Sequence, residues 1–196
     1  AGPKCLLPVG GRSLLRRLLD SLRSVGVQEV VLVVGLGKEE VVQEARAHVR
    51  GIRLRVLENE RFREGAILSL WTARETLDRP VLIMDSDVLI PPAALERLVR
   101  SRHANCLLVD GSAQDTGEEQ MVFGQGNRVL HITKRPSEES RLPLEEAAPG
   151  ASAHRRGLTP FGESVGFLKL SSQGAQTLRL LLEARVQAGA VGIEHE

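Results

Sequence analysis

The stretch Val81-Leu82-Ile83-Met84-Asp85-Ser86-Asp87 decides the fold of this chain. Its first four residues form a continuous apolar run, which is typical of a strand buried on both faces of a parallel sheet. Two carboxylates follow, and ligands in open α/β sheets bind beyond the carboxyl ends of the strands. If the backbone stays extended, Asp85 and Asp87 project to the same side and offer oxygen ligands to Mg²⁺. The alternative is that one of them only caps the turn before Pro91.

Apolar patterns on both sides of this strand alternate between strand and helix periods. The predicted strands cover residues 30–34, 52–56, 106–109 and 165–170, and the predicted helices cover residues 14–25, 38–49, 65–77, 92–100 and 171–188. Ser13 is placed to cap the first helix, and Pro91-Pro92 to start the fourth. Residues 121–134 predict a hairpin, and residues 137–160 a long mobile or substrate-covering connection. We therefore expect an α/β fold with a doubly wound mixed, mainly parallel sheet and a small β-hairpin lobe.

Length and composition limit the classes of protein to which the chain can belong. Its 196 residues, 42% of them hydrophobic, suit one core, so we expect a single domain over residues 1–196. Because 26 basic and 25 acidic side chains nearly cancel, we expect no nucleic-acid partner and no membrane partner. Cys5 and Cys106 lack zinc-site spacing, and no signal peptide or membrane span is recognisable. These features favour a reduced cytoplasmic enzyme.

Lys4 is the second feature that points to phosphate chemistry. It has no apolar periodicity to explain it and lies between Pro3 and Pro8, which stiffen the backbone. A lysine held in this way is a point charge suited to a phosphate, although a solvated lysine is the simpler interpretation. Lys4 and the two aspartates together are what a metal-assisted reaction on a nucleoside triphosphate requires. The combination predicts nucleotidyl transfer.

Four motifs follow one another in the order of a known family. They are Pro3-Lys4-Cys5-Leu6-Leu7-Pro8-Val9, Gly11-Arg12-Ser13-Leu14-Leu15, Val30-Val31-Leu32-Val33-Val34-Gly35 and Asp85-Ser86-Asp87. Over nearly its whole length, the chain resembles the NTP-transferase family of sugar-nucleotide and alcohol-phosphate nucleotidyltransferases. Residues 58–71 look most like the cytidylyltransferases that activate phosphocholine, 2-aminoethylphosphonate or inositol phosphate. The resemblance implies a Rossmann-like nucleotidyltransferase fold.

The resemblance also implies a triphosphate and metal site. Lys4 would bind the triphosphate as a catalytic charge, with Gly2 beside it in the nucleotide site. Asp87, together with Asp85, would hold the Mg²⁺ cofactor. The partners implied are a nucleoside triphosphate, with CTP favoured, and a small phosphorylated or phosphonate acceptor. The sequence leaves the oligomeric state open, and a homodimer is one option.

Two further groups of residues receive roles from the same resemblance. Asn59, Gly65 and Ser69 would lie against the base, and Gly65 would let the ring approach the backbone closely. The residues that would face the acceptor are Lys134, Glu163 and Gly166. Lys134 would be the catalytic charge near the acceptor phosphate. The alternatives are a solvated strand end for Lys134 and a surface carboxylate for Glu163.

The chain departs from the family pattern at both ends. The family's first strand and glycine-rich phosphate loop should stand just before Pro3, where only Ala1 and Gly2 are present. Ile193-Glu194-His195-Glu196 resembles the acidic stretch before the family's last helix, and the final strand is absent. We therefore expect a fragment of a longer domain, with little activity if it is complete as written. Ala66 replaces an asparagine found in many cytidylyltransferases, which leaves the acceptor open.

Two short motifs match the consensus of other kinds of site, but the residues or the secondary structure around them do not fit those sites. Gly35-Leu36-Gly37 begins a dinucleotide fingerprint, but Glu40 stands at its third glycine position and would repel a pyrophosphate. Gly162-Glu163-Ser164-Val165-Gly166 spells a hydrolase nucleophile elbow. Such an elbow needs a strand before the serine and a helix after it, whereas Ser164 is predicted to follow a loop and precede a strand.

The sequence therefore predicts a magnesium-dependent nucleotidyltransferase, most simply one that condenses CTP with phosphocholine, 2-aminoethylphosphonate or inositol phosphate and releases pyrophosphate. Two alternatives remain. The first is a sugar-1-phosphate nucleotidyltransferase that uses another triphosphate. The second is a catalytically inactive nucleotide-binding regulatory module, which the missing glycine-rich loop favours.

Overall fold

The computed structural model describes residues 2–113, 119–134 and 158–189, which form two compact units. Unit 1 contains residues 2–106 and 168–189, and unit 2 contains the described residues between 107 and 167. Helices and both parallel and antiparallel strand pairs are present, so the mixed α/β fold class is confirmed. The expectation of one domain over the whole chain stays a prediction.

Unit 1 is built from alternating strands and helices. Its strands are β1 (Pro8–Val9), β2 (Arg12–Ser13), β3 (Glu29–Val34), β4 (Arg53–Glu58) and β5 (Val81–Met84), and its helices are α1 (Leu14–Ser24), α2 (Lys38–His48), α3 (Ile67–Thr72), α4 (Pro92–Arg100) and α5 (Ser172–Gln187). β3 and β4 pair in parallel from Glu29 opposite Arg53 to Val34 opposite Glu58. β1 and β2 form a short antiparallel hairpin. These elements match the predicted alternation closely.

The helix starts of unit 1 follow from local side-chain chemistry. The Ser13 hydroxyl accepts a hydrogen bond from the backbone nitrogen of Arg16 at 3.0 Å, which satisfies one free donor at the start of α1. Ser171 caps α5 in the same way and accepts from the backbone nitrogen of Gly174 at 3.1 Å. Pro91 precedes α4 and Pro92 is its first residue. The predicted cap of α1 and the predicted proline start of α4 are confirmed.

The predicted helix over residues 65–77 is wrong in its length. The structure has a six-residue α3 followed by a 3-10 turn at Arg74–Thr76. At the break, the hydroxyls of Thr72 and Thr76 donate to the carbonyl oxygens of Leu68 and Ala73, respectively. Threonine hydroxyls that bond to the carbonyls of preceding turns weaken regular helix, which explains the early end of α3.

Two hydrophobic clusters form the core of unit 1. The first joins α1, α2 and β3 through Cys5, Leu15, Leu19, Leu32, Val34, Val41 and Ala45. The second joins α3, α5 and residue 170 through Ile67, Leu68, Leu77, Leu170, Ala175 and Leu182. Among the helices of the described residues, none combines the length and apolar character that a bilayer crossing requires.

Unit 2 is dominated by antiparallel strands. Its strands are β6 (Cys106–Asp110), β7 (Gln120–Gln125), β8 (Arg128–Lys134) and β9 (Thr159–Leu170), of which β6 begins at the last residue of unit 1 and β9 ends within unit 1. β7 lies between β8 and β9 and is antiparallel to both, and β6 also pairs with β9. The last residues of β9 belong to unit 1, in which β5 is the strand that pairs with β9.

The structure confirms the hairpin of unit 2 and corrects the strand that follows it. β7 and β8 are joined at Gly126 and Asn127, as predicted. β9 begins at Thr159 rather than at residue 165, so residues 159 and 160 do not belong to a loop. Ser164 lies inside this strand, without the helix after it that a nucleophile elbow needs. Residues 137–157 and 193–196, to which predictions were also attached, lie outside the described residues.

Candidate active site

Lys4 lies on a short turn that is fixed at both ends. Residues Lys4–Leu6 form a 3-10 turn, in which the backbone nitrogen of Leu7 donates to the carbonyl oxygen of Lys4 at 3.0 Å. Pro3 packs closely against Gly37. A Cβ atom added to Gly37 would lie 2.5 Å from Cγ of Pro3, which is too short for a real contact. Gly37 has a positive φ of 62°, in the left-handed region that favours glycine. The Lys4 side chain itself is exposed, as a phosphate-binding cation must be.

The two predicted metal ligands lie directly beyond β5. The strand ends at Met84, and Ser86 and Asp87 already belong to a turn. The condition of an extended backbone is therefore not met, and projection of Asp85 and Asp87 to one side does not follow from strand geometry. Both aspartates are exposed.

Cys5 connects the Lys4 turn to the aspartate turn. Its side chain is only 7% exposed and lies next to the side chain of Ser86. Burial raises the pKa of the Cys5 thiol above its usual value, and the nearby negative charge of Asp87 raises it further. The thiol therefore stays protonated near neutral pH. Sequence reasoning missed both Cys5 and Ser86, since each stands at a variable position of its motif.

One cleft of unit 1 brings most of the predicted nucleotide residues together. It has a volume of about 1400 Å³ and is lined by every residue of β3 and of β5, and we call it the β3–β5 cleft. The predicted nucleotide and metal residues that line it are Gly2, Lys4, Ser69, Asp85 and Asp87. Cys5 and Ser86 line it as well. Two predicted residues, Asn59 and Gly65, are not part of its wall.

Asn59 organises the loop beside this cleft. It is 4% exposed, the one buried polar side chain among the described residues. Its amide nitrogen donates to the Ser69 hydroxyl at 3.2 Å, and its amide oxygen accepts from the backbone nitrogen of Arg61 at 3.0 Å. Its own backbone nitrogen donates to the carbonyl oxygen of Val34 at 2.8 Å. Asn59 therefore ties the end of β4 to the end of β3 and orients Ser69.

The donor set beyond β5 fits a magnesium ion that shares its coordination with phosphate. Asp85 and Asp87 supply hard oxygen ligands, which Mg²⁺ prefers, while the protonated thiol of Cys5 does not compete as a soft ligand. No group of three or more His, Cys, Asp or Glu side chains in the described residues could hold a metal alone. Mg²⁺ is usually bound by one or two carboxylates together with water and substrate phosphates.

The predicted acceptor residues lie in unit 2, around the start of β7. Lys134 ends β8 opposite Gln120, and Glu163 of β9 lies opposite Met121, the next residue of β7. Gly166 has a positive φ of 73°, and its backbone nitrogen donates to the Ser164 hydroxyl at 3.3 Å. The sheet of unit 2 thus places Lys134 and Glu163 beside consecutive residues of one strand.

Comparison with known proteins assigns a family to this arrangement. A family model described as the MobA-like NTP transferase domain matches residues 1–144, which is most of the chain. The chain belongs to this family. As an NTP transferase domain, it is a nucleotidyltransferase by class. This class agrees with the lysine and the two aspartates, Lys4, Asp85 and Asp87, that line the β3–β5 cleft.

Curated relatives of this NTP transferase domain include enzymes with different acceptors. It is 40% identical over 106 residues to the CMP-5'-(3-aminopropyl)phosphonate synthase of Streptomyces rubellomurinus, a match that covers 54% of the chain and 17% of the relative. It is 33% identical over 135 residues to the bifunctional IPC transferase and DIPP synthase of Rubrobacter xylanophilus, with 67% and 30% covered. The bifunctional protein GlmU of Parvibaculum lavamentivorans is 30% identical over 145 residues, with 71% and 32% covered. The chain thus spans less than a third of the length of each of these three relatives.

Solved structures show the same fold. The CTP:phosphocholine cytidylyltransferase of Streptococcus pneumoniae superposes with a TM-score of 0.64 at 14% identity, over 97% of this chain and 72% of that one. The inositol-1-phosphate CTP transferase of T. maritima gives 0.66 at 19% identity, over 95% and 73%. An apo UDP-glucose pyrophosphorylase gives 0.62 at 13% identity, over 93% and 72%. The NTP transferase domain therefore has the nucleotidyltransferase fold.

Proposed function

We propose that this NTP transferase domain is a magnesium-dependent cytidylyltransferase. It condenses CTP with a small acceptor that carries a phosphate or phosphonate group, and pyrophosphate is released. The observation that carries the proposal is the proximity of the Cys5 and Ser86 side chains, which brings the Lys4 turn next to the turn that contains Asp85 and Asp87. A cation and two carboxylates thereby line one cleft at the carboxyl end of a strand, where α/β sheets bind their ligands.

The proposed chemistry is one displacement at phosphorus. An acceptor oxygen attacks the α-phosphorus of CTP in line with the leaving group. The new O–P bond forms as the bond from the α-phosphorus to the bridging oxygen breaks, and that electron pair leaves with pyrophosphate. Because the acceptor is already anionic near neutral pH, no proton has to be removed by a general base. Positioning and charge neutralisation therefore provide the rate enhancement.

Lys4 and the two aspartates divide the work on the triphosphate. The exposed ammonium of Lys4 binds phosphate oxygens as a point charge, and the packing of Pro3 on Gly37 keeps its backbone in place. Asp85 and Asp87 would hold Mg²⁺, which when bound supplies positive charge next to the phosphates. We assign Cys5 and Ser86 as positioning residues, because their side chains bring the two turns together.

The base and the acceptor are assigned to residues beyond these two turns. We assign Ser69, which lines the cleft, to the base, and Asn59 and Gly65 to the support of that wall. The choice of cytosine rests on the relatives and neighbours whose names include CMP or CTP. We assign Lys134, Glu163 and Gly166 to the acceptor. Replacement of Lys134 with glutamine should raise KM for the acceptor and leave KM for CTP unchanged.

Pyrophosphate release in the presence of Mg²⁺ tests the proposal. CTP is compared with UTP, dTTP, ATP and GTP, and each is offered phosphocholine, 2-aminoethylphosphonate, inositol 1-phosphate or glucose 1-phosphate. Release with CTP and one of the first three acceptors supports the proposal. CTP binding without release from any pair would instead indicate a regulatory module.

A pair of matched variants tests the metal ligands. Asp87→Asn removes one ligand charge, and Asp20→Asn is its control, because Asp20 pairs with Arg23 on α1 and neither residue is part of the cleft wall. We expect turnover to be lost in the first variant and kept in the second, with both variants folded by circular dichroism. Near-normal turnover of Asp87→Asn would remove Asp87 from the metal site.

A second candidate function is supported by other similar proteins. The UDP-glucose pyrophosphorylase neighbour has the same fold but is named for another nucleotide and for a sugar. A sugar-1-phosphate nucleotidyltransferase is therefore the alternative. In the same assay, it would release pyrophosphate with glucose 1-phosphate and a triphosphate other than CTP.

A further inference from the structure

Each glycine of Gly35-Leu36-Gly37 has a ring packed against it. A Cβ atom added to Gly35 would lie 2.6 Å from Cβ and 2.7 Å from Cγ of Phe62. One added to Gly37 would meet the Pro3 ring. Gly35 is not among the glycines with a positive φ, so the Phe62 ring, and not the backbone conformation, requires glycine there. This motif, which does not fit a dinucleotide site, therefore holds two other segments of unit 1.

A loop after β4 presents Phe62 to this turn. It covers residues 59–64, and we call it the Phe62 loop. The backbone nitrogen of Asn59 donates to the carbonyl oxygen of Val34 at 2.8 Å, directly before the glycine turn. The amide oxygen of Asn59 accepts from the backbone nitrogen of Arg61 at 3.0 Å, which fixes the start of the loop. The loop is thus attached to the end of β3 twice, once by a backbone hydrogen bond and once by an aromatic ring.

Phe62 is not a core residue. Its side chain is 37% exposed, and the guanidinium carbon of Arg63 lies 5.4 Å from its ring centroid. It belongs to neither of the two hydrophobic clusters of unit 1. The ring nevertheless occupies the space of a Cβ atom at Gly35. Such a ring serves position more than stability, and its removal should leave the fold intact.

The Phe62 ring lies behind the wall of the nucleotide site. Gly35 lines the β3–β5 cleft, whereas Phe62 does not. The Phe62 loop also carries Asn59, whose amide nitrogen donates to the hydroxyl of Ser69 in the cleft wall. The other ring on the glycine turn belongs to the residue directly before Lys4. One turn therefore connects the segment assigned to the base with the segment assigned to the triphosphate.

We propose that Phe62 is a positioning residue of the nucleotide site, and that the Gly35-Leu36-Gly37 turn couples the Phe62 loop to the Lys4 turn. The role of Lys4 is that of the proposed function, on which this proposal rests, whereas the coupling itself needs no nucleotide. With both rings in place, the turn is held from two sides. Without either ring, the turn gains the conformational freedom of its two glycines, and the opposite segment loses its support.

Amide exchange in the free protein tests the coupling. Phe62→Ala should speed the exchange of the Leu6 and Leu7 amides, which close the 3-10 turn through hydrogen bonds of 3.0 Å, by about fivefold or more. Pro3→Ala should in turn speed the exchange of the Arg61 amide, because a coupling acts in both directions. If Phe62→Ala speeds exchange only within the Phe62 loop, the ring has a local role and the proposal is overturned.

Calorimetric titration with CTP and Mg²⁺ tests the effect on the site. We expect Phe62→Ala to weaken binding by about fivefold or more. Phe62→Tyr keeps the atoms that contact Gly35 and should bind as the wild type does. Phe123→Ala is the control, because it removes a partly buried ring from β7 in unit 2 and should change neither exchange nor affinity.

The two measurements separate this proposal from the proposed function. Wild-type affinity for CTP in Phe62→Ala would overturn the role of Phe62 as a positioning residue. A wild type that binds no triphosphate would instead overturn the proposed function, and the exchange of the Leu6 and Leu7 amides would then decide the coupling alone.

Discussion

The side chains of Cys5 and Ser86 lie next to each other, although they belong to opposite ends of the amino-terminal half of the chain. Lys4 directly precedes Cys5, and Ser86 stands between Asp85 and Asp87. One buried contact therefore sets the position of three exposed charged residues. Exposed side chains cannot fix one another in this way, because ion pairs in water are weak. The site depends on a neutral contact beneath it.

The protonation state of Cys5 should make stability depend on pH. Burial raises the pKa of this thiol in the folded chain above its value in the unfolded chain. The folded state then binds the proton more tightly, so this contribution is complete below the unfolded pKa of about 8.5 and is lost as pH rises through the folded pKa. We expect the free energy of unfolding in urea to fall more steeply between pH 8 and pH 10 in the wild type than in Cys5→Ala.

Cys106→Ala is the matched control for this measurement, since it removes the other free cysteine of the chain. It should keep the steep decline of the wild type. Parallel pH profiles for Cys5→Ala and the wild type would show that the thiol does not titrate with folding.

The backbone of the Lys4 turn should be sensitive to Gly37. Gly37→Ala places a Cβ atom 2.5 Å from Pro3, in addition to the cost of a positive φ. Gly51→Ala is the control, because Gly51 has a similar φ of 72° but no atom within 4 Å of an added Cβ. Left-handed backbone costs an alanine roughly 1–2 kcal/mol, so Gly51→Ala should lose about that much stability in urea and Gly37→Ala should lose more.

Only the Gly37 variant should also lose affinity for the triphosphate, because only it displaces Pro3 and with it Lys4. Calorimetric titration with CTP and Mg²⁺ measures the difference. Equal affinities of the Gly37 and Gly51 variants would mean that the packing of Pro3 does not position Lys4.

Much of the fold could be predicted because the signals are local. Ser13 caps α1 through a hydrogen bond that spans three residues, and the run Val81-Leu82-Ile83-Met84 is a strand as its composition indicates. The limits of prediction are equally physical. The early end of α3 depends on the Thr72 hydroxyl, which donates to the carbonyl oxygen of Leu68. The Cys5–Ser86 contact joins two residues that are far apart in sequence, and no periodic pattern predicts that they meet.

Asn59 should be important for stability as well as for the site. Asn59→Ala leaves the backbone nitrogen of Arg61 without its acceptor and Ser69 without a donor, in a place that is 4% exposed. Loss of a buried hydrogen-bond partner costs about 1–3 kcal/mol, which we expect as the loss of unfolding free energy. Gln43→Ala removes an exposed amide on α2 and should change stability by less than about 0.5 kcal/mol. A similar small change for Asn59→Ala would show that the loop does not depend on this side chain.

Lys4 should matter for turnover far more than for folding. Its side chain is exposed, so Lys4→Gln should keep the Tm of the wild type. Loss of a charge that stabilises the transferring phosphate should lower kcat by about 100-fold or more. Lys4→Arg keeps the charge and should recover part of this loss. Lys38→Gln is the control, because Lys38 is an exposed lysine that pairs with Glu58 at 2.7 Å outside the wall of the cleft. If Lys4→Gln and Lys38→Gln turn over pyrophosphate at the same rate, the interpretation of Lys4 as a solvated lysine is correct.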